Sequence, residues 1–284
     1  MGVSEVLDDR LVLTPDESAM IHDADLAAYG GMFAAAAPAI GSGRAFVGGD
    51  NAAMAMWNPR DESSAYNTLI AFEYAADPDE AWREARAAAK AGGAKVFGVG
   101  LVEERYAWGT PERLAEHQLE LEYEELVWAR RLDGTRPEYL DRAAVFPPGV
   151  EIITDRLDPV VVARTMNRGW EAPADHGFGP LYSASIGQTG WIHYLALVDG
   201  VPAAASGMFC AGRVALFMVA ATAPEFRGRG LQGAFIARRY IDALAAGCTI
   251  GISETVDDNA SPRNFQRAGF QLVHRRRMYR TESL

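Results

Sequence analysis

The sequence predicts a mixed α/β protein made of two units in tandem, and three observations carry that expectation. Short apolar, β-rich runs are followed by segments with helical spacing, and this strand–helix order occurs twice along the chain. Phe146-Pro147-Pro148-Gly149 separates the two runs, and two prolines followed by a glycine cannot continue a helix or a central strand. The charge also changes there. Residues 1–148 carry 13 basic and 26 acidic side chains, net −13, whereas residues 149–284 carry 14 and 12, net +2. A length of 284 residues accommodates two ordinary domains. The expected units are 1–148 and 149–284.

In the first unit the earliest marked element is a strand over Asn67 to Tyr74. A helix is expected from Pro78 to Ala91, with proline in its first turn and Gly92-Gly93 as its stop. Ala94 to Val102 reads as a buried strand. Pro111 to Leu132 reads as one long helix, because leucines recur among glutamates at roughly helical spacing.

The second unit repeats the order. Val150–Thr154 is an expected strand and Pro159–Gly169 a helix. Trp191–Val198 and Val201–Phe209 flank Asp199-Gly200, which is a hairpin signal. Val214–Thr222 is almost unbroken in apolar character and reads as one central strand. A helix over Leu231–Ala246, a strand over Cys248–Ser253, a helix over Ser261–Ala268 and a strand over Gln271–Tyr279 complete the pattern. Ser261-Pro262 suits a helix start and Gly269 a stop. The duplication is one of element order; no residue-by-residue repeat is visible.

Composition narrows the function. A net charge of −11 disfavours nucleic acid as a partner. Two cysteines, Cys210 and Cys248, exclude a disulfide scaffold and point to a reducing compartment. Met1–Arg10 has no basic-then-apolar leader, so a cytoplasmic location is expected. Gly207, Gly212 and Arg213 interrupt the most apolar tract, and no membrane span is expected. No metal site is called for.

The chemistry concentrates in Arg227-Gly228-Arg229-Gly230-Leu231-Gln232-Gly233, between the expected central strand and a helix. Its glycines let the backbone turn tightly and present successive N–H groups. At a helix start those groups are unsatisfied, and the helix dipole adds partial positive charge. Such a site suits a phosphate or pyrophosphate, with Arg227 and Arg229 as further donors. The spacing equally suits a plain strand-to-helix turn with solvated arginines. It is neither a Walker loop nor a dinucleotide fingerprint.

Ala220 to Gly233 resembles the acyl-CoA motif of the Gcn5-related N-acetyltransferase family, Arg/Gln-x-x-Gly-x-Gly/Ala, entered from a strand through a Pro-containing turn. One position departs: Gln232 stands where Gly or Ala is usual. Asn259 to Phe270 resembles the family's late helix, which ends in Gly-Phe. The resemblance implies two N-acyltransferase-like domains in tandem, the first a degenerate copy without the CoA motif. It implies acetyl-CoA as co-substrate, with its pyrophosphate on the amides of Gly228 to Gly233 and its pantetheine arm along Ala220, Ala221 and Thr222. Asn259 would be a further cofactor contact. The reaction would be acetyl transfer to the amine of a small molecule or peptide. An acyltransferase using a longer acyl-CoA or acylating oxygen, and a non-catalytic acyl-CoA-binding module, are the alternatives. A homodimer is compatible with all of them.

The acid and base are less marked. Phe265 occupies the position where many relatives carry a Tyr that protonates the departing thiolate, and it cannot donate. Glu254 at the end of the Cys248–Ser253 strand and His193 within a strand are the candidates, each with a structural role as the alternative. Asp175 and His176 lie in a Pro/Gly-rich loop that suits an acceptor loop or a surface turn. His274-Arg275-Arg276-Arg277 alternates across two faces, as a solvated edge strand or a CoA 3′-phosphate contact would.

Overall fold

The computed structural model describes residues 10–48, 52–102, 107–146, 148–174, 176–256 and 260–284. Helix α1 (Pro15–Ile40) opens it. Thr14 Oγ1 accepts from the Glu17 N–H at 3.2 Å and the Thr14 N–H donates to Glu17 Oε2 at 2.8 Å, a capping box with Pro15 in the first turn. Strands β1 (Gly43–Val47), β2 (Ala53–Trp57) and β3 (Thr68–Ile70) follow, then α2 (Pro78–Ala91) and β4 (Phe97–Val102). α3 (Pro111–Glu116), β5 (Glu120–Arg131) and α4 (Glu138–Ala143) complete the first half. The second half runs β6 (Val150–Ile153), α5 (Pro159–Gly169), α6 (Phe178–Ser183), β7 (Trp191–Val198), β8 (Val201–Ala211), β9 (Val214–Leu216), β10 (Ala220–Thr222), α7 (Leu231–Ala245), β11 (Ile250–Val256), α8 (Ser261–Arg267) and β12 (Gln271–Thr281).

Most expected elements of the second half fall within two or three residues of the observed ones. The expected helix over Pro111–Leu132 is a correction: only its first turn and a half is helical, and 120–131 is a strand. Glu122, Glu124 and Glu125 each meet an arginine of β12. Arg280 lies 3.3 Å from Glu122, Arg277 lies 3.1 Å from Glu124, and Arg276 lies 3.1 Å from Glu125. These cross-strand partners are remote in sequence, so the local leucine spacing could not reveal them. The arginine run is likewise no solvated edge: β12 is paired on both sides, with β4 and β5. The expected single strand Val214–Thr222 is two strands interrupted at 217–219. Asn67–Tyr74 is a three-residue strand followed by a 3-10 turn over Phe72–Tyr74.

The twelve strands among the described residues form one sheet, in the order β1-β2-β3-β4-β12-β5-β11-β9-β8-β7-β6, with β10 paired to β8. β5, from before residue 148, therefore lies between β11 and β12, which come from after it. One face packs α7, through Phe235 and Tyr240, and α8 over Trp128, Phe217 and Phe270. The other packs α1, α5 and α6 over Val127, Leu216 and Ile252. A third apolar cluster lies beneath α2, around Trp82 and Phe97.

Residues 149–284 expressed alone would leave β11 and β12 without the strand between them. That fragment is expected to be insoluble or to melt without a cooperative transition, and a fragment beginning at residue 111 to do better. A soluble, cooperatively melting 149–284 fragment would overturn this expectation.

Candidate active site

The site lies where the second half of the sheet splays. β9 runs parallel to β11 from Val214↔Ile250 to Leu216↔Ile252, after which the chain turns away and β10 pairs only with β8. The break at 217–219 is held by buried polar groups. The Phe217 N–H donates to the Ile252 carbonyl (2.7 Å), and Ser253 Oγ donates to that of Phe217 (3.1 Å). Arg239, only 1% exposed, donates from Nη1 to the carbonyls of Met218 (2.8 Å) and Gly207 (3.2 Å). A buried guanidinium satisfied by carbonyls in this way fixes an irregular backbone that no ladder could.

Ala220, Ala221 and Thr222 form the short lip beyond the break. The Gly207 N–H bonds to the Val219 carbonyl and the Ala223 N–H to that of Ala203, so the odd-numbered residues face β8. By antiparallel alternation, the N–H and C=O groups of Ala220 and Thr222 point to the opposite, open edge. The Thr222 carbonyl there accepts from Arg227 Nε at 3.2 Å.

The loop after this lip turns through Gly228 and Gly230, both at φ +77°, a conformation that disfavours any side chain. A Cβ at either would meet nothing within 4 Å, so the space beside them is open. Gly230 is the N-cap of the 15-residue α7 and offers no side-chain cap. The N–H groups of Leu231, Gln232 and Gly233 are thus left as donors at the positive end of a long helix. Arg227 turns away from this cradle. It pairs with Glu171 (2.6 Å) and donates to the Gly169 carbonyl (2.9 Å). Arg229 lies over the Phe226 ring, 5.5 Å from its centroid.

Gln232, the residue that departs from the acyl-CoA motif, is used structurally. Its Nε2 donates to Ser261 Oγ (2.5 Å) and its Oε1 accepts from Asn264 Nδ2 (2.6 Å), tying α7 to α8. Ser261 is therefore the first residue of α8 rather than its N-cap, which is Ala260. A groove of about 620 Å³ opens beside this tie, lined by Tyr139, Arg142, Gly230, Gly233 and Arg267 among others. Asn259 and Asp175 lie outside the described residues.

Glu254 stands on β11, two residues past its last pairing with β9. Its Oε1 takes Arg276 Nη1 at 2.7 Å, and its Oε2 accepts from the Tyr29 hydroxyl of α1 at 3.2 Å. The same Arg276 nitrogen reaches Glu125 Oε2 at 3.1 Å. Asp25 and Glu73 are further acidic side chains around Arg276. Burial, then the neighbouring Glu254, pushes Glu125 up to about 8 and raises Asp25 well above the usual carboxylate range. Burial also raises Tyr29, Tyr66 and Tyr123, so these phenols keep their protons. The side chains of Glu125, Glu254 and Arg276 are 16%, 24% and 21% exposed, so the cluster is mostly but not wholly shielded from solvent. Sequence reading singled out Glu254 but missed Tyr29, Asp25 and Glu125. Nothing local marks these three, because they come from α1 and from a strand read as helix.

The two sequence candidates for acid–base work are not brought together. His193 is on β7, three places along the sheet from β11, and is 3% exposed. Its Nε2 bonds Ser185 Oγ at 2.9 Å, and Tyr182 and Trp191 enclose the ring. Burial pushes it down to about 4. Phe265 is buried against Phe217 and Phe270 on the opposite side of the sheet from α1. His176 lies 3.8 Å from the Asp61 carboxylate.

No family model and no curated protein matches the chain. Solved structures do. A GCN5-related N-acetyltransferase from Kribbella flavida superposes with a TM-score of 0.58 at 19% identity, covering 92% of this chain and 94% of that one. One from Sphaerobacter thermophilus gives 0.55 at 14%, covering 81% and 80%. A tandem GNAT protein from the clavulanic acid biosynthesis pathway gives 0.53 at 16%, covering 72% and 69%. The chain has the fold of the GCN5-related N-acetyltransferases. Among the described residues, no helix is long and apolar enough to cross a membrane.

His193 makes a pH prediction. The unfolded chain takes up a proton on this ring below pH 6.5, and the folded chain resists it down to about 4. The associated stability is present above pH 6.5 and is lost as pH falls toward 4, by about 3 kcal/mol. Urea titrations of His193→Gln should show a correspondingly smaller loss between pH 7 and 4. Equal losses in both proteins would contradict this.

Proposed function

We propose that the protein is an acyl-CoA-dependent N-acyltransferase, with acetyl-CoA as donor and the amine of a small molecule or peptide as acceptor. One observation carries the reading. The uncapped start of α7 with its two left-handed glycines adjoins the open edge of β10, and Glu254 stands across the splay from that edge.

In this reading the two units divide the work: 149–284 cradles the donor, and 1–148, which has no such loop, lines the acceptor side. The co-substrate supplies an activated acyl thioester. The amides of Leu231, Gln232 and Gly233 hold its pyrophosphate, and Arg142 and Arg267 line the groove beside them. Ala220 and Thr222 offer backbone groups to the pantetheine arm. Arg227 acts by bracing the Thr222 carbonyl and Gly169, and the phosphate charge is met mainly by backbone dipoles. Glu254 accepts a proton from the amine, which must be neutral to attack. The net charge of −13 on residues 1–148 favours an acceptor that arrives as an ammonium ion. Phe265 donates no proton, and water or another group serves the departing thiolate.

The buried Phe265 also supports a second reading, a module that binds acyl-CoA without turnover. Thiol release from acetyl-CoA over a broad amine panel separates the two, because binding without release across the panel favours the module. Gly230→Asp should abolish acetyl-CoA binding in calorimetry, since a carboxylate placed in the amide cradle repels the pyrophosphate; undiminished binding would refute the loop assignment. Glu254→Gln should lower kcat by about 10²–10⁴-fold while leaving acetyl-CoA affinity near wild type.

A further inference from the structure

Arg276 is shared. Its Nη1 sits 2.7 Å from Glu254 Oε1 and 3.1 Å from Glu125 Oε2, so one guanidinium nitrogen is divided between a carboxyl group of the second half and one of the first. The sharing depends on the placement of β5 between β11 and β12. In that register Glu125 lies opposite Arg276, and Val127, two residues along on the same face, lies opposite Glu254. Room for the guanidinium stem is made at Gly100 on β4, where a Cβ would fall 2.4 Å from Arg276 Cδ. The groups facing this cluster are Asp25 and Tyr29 from α1, Tyr66 and Glu73 from the segments flanking β3, and Tyr123 from β5.

A carboxylate facing an undivided guanidinium is held strongly in its charged form and becomes a poor base. A carboxylate with no cation beside it in a buried cleft would instead hold its proton permanently. Here Glu254 faces a guanidinium that Glu125 also contacts. We propose that Glu125, although it belongs to the first half of the chain, is a positioning residue for the transfer: by taking part of the Arg276 guanidinium, it keeps Glu254 both aimed at the splay and basic enough to accept the amine proton. The inference rests on the acyltransferase reading and on Glu254 as its base. It makes the centre composite: neither half contains a complete base.

At neutral pH burial keeps Glu125 protonated, so a glutamine, with its carbonyl oxygen in the same place, reproduces its share of Arg276, whereas a leucine does not. Glu125→Leu is therefore expected to lower kcat about 10–100-fold with the KM for acetyl-CoA within twofold, and Glu125→Gln to recover to within about threefold of wild type. Glu125→Leu placed in a Glu254→Gln background should cost no further activity, because its effect passes through Glu254. A direct readout is the carboxyl carbon of Glu254, followed by NMR with labelled glutamate. Its titration should move to lower pH in Glu125→Leu and stay near wild type in Glu125→Gln. Melting curves of both variants are expected to match wild type, and the full chain is used throughout.

Losses that multiply in the double variant, an unmoved Glu254 titration, or equal damage from leucine and glutamine would each overturn the role of Glu125. Should Glu125→Leu fail to fold, Glu125→Asp, one carbon short of Arg276, is read on the same Glu254 titration. Wild-type protein that transfers no acyl group to any amine would instead strike the acyltransferase reading, and this inference with it.

Discussion

Strand β5 is held between β11 and β12, with glutamates on both of its faces opposite arginines of β12. Each such cross-strand pair contributes only about 0.2–1 kcal/mol, so the pairs do not explain the stability of the sheet. They specify register. A slip of one residue would carry Glu125 to the α7 face and Glu124 to the α1 face, separating Arg276 from its partners. The alternation of Trp128 toward α7 and Val127 toward α1 enforces the same register through burial. The composite centre of Glu254, Arg276, Glu125 and Tyr29 depends on that single insertion.

The donor side is governed by a different constraint, an unfilled hydrogen-bonding edge. β10 leaves β11 because the strand breaks at 217–219, and the break persists because Arg239, Ser253, Ser206 and Gly207 satisfy its carbonyls from behind. The backbone groups of Ala220 and Thr222 and the first amides of α7 then face the same opening. Apart from the Thr222 carbonyl, which accepts from Arg227 Nε, these groups lie outside the β8 ladder and the internal hydrogen bonds of α7, so they suit a ligand carrying amides and phosphates. His193, by contrast, is an interior histidine: a ring deprived of solvent and enclosed by aromatic side chains is kept neutral, which suits packing.

Much of the second half was legible because its determinants are local. Glycines at left-handed φ, a proline in a first turn, an Asp-Gly hairpin and unbroken apolar runs act over a few residues, and they located the glycine turn before α7 directly. The first half was read less well. Leu114, Leu119, Leu121 and Leu126 mimic helical spacing, but Glu120–Glu124 alternates with period two and Leu126–Ala129 is an unbroken apolar run, and the pairing with β12 and β11 decides for the strand. Thr14-Pro15 with Glu17 is a sufficient helix start for α1, yet the alanine-rich tract after it carries little amphipathic pattern. The run at 274–277 looked exposed because four polar residues in a row have no local means of being buried; glutamates from two other strands supply it.

By itself, the sequence determined the mixed α/β class, the tandem order of elements and the glycine turn at the start of α7, since φ preference, capping and backbone donors are properties of adjacent residues. The tertiary structure alone decided that the strand before residue 148 would be enclosed by strands after it, and that an arginine from one half would be divided between carboxylates of both. Charge pairing and proton affinity depend on distance in space and on exclusion of water, and neither is encoded in the spacing of residues along the chain.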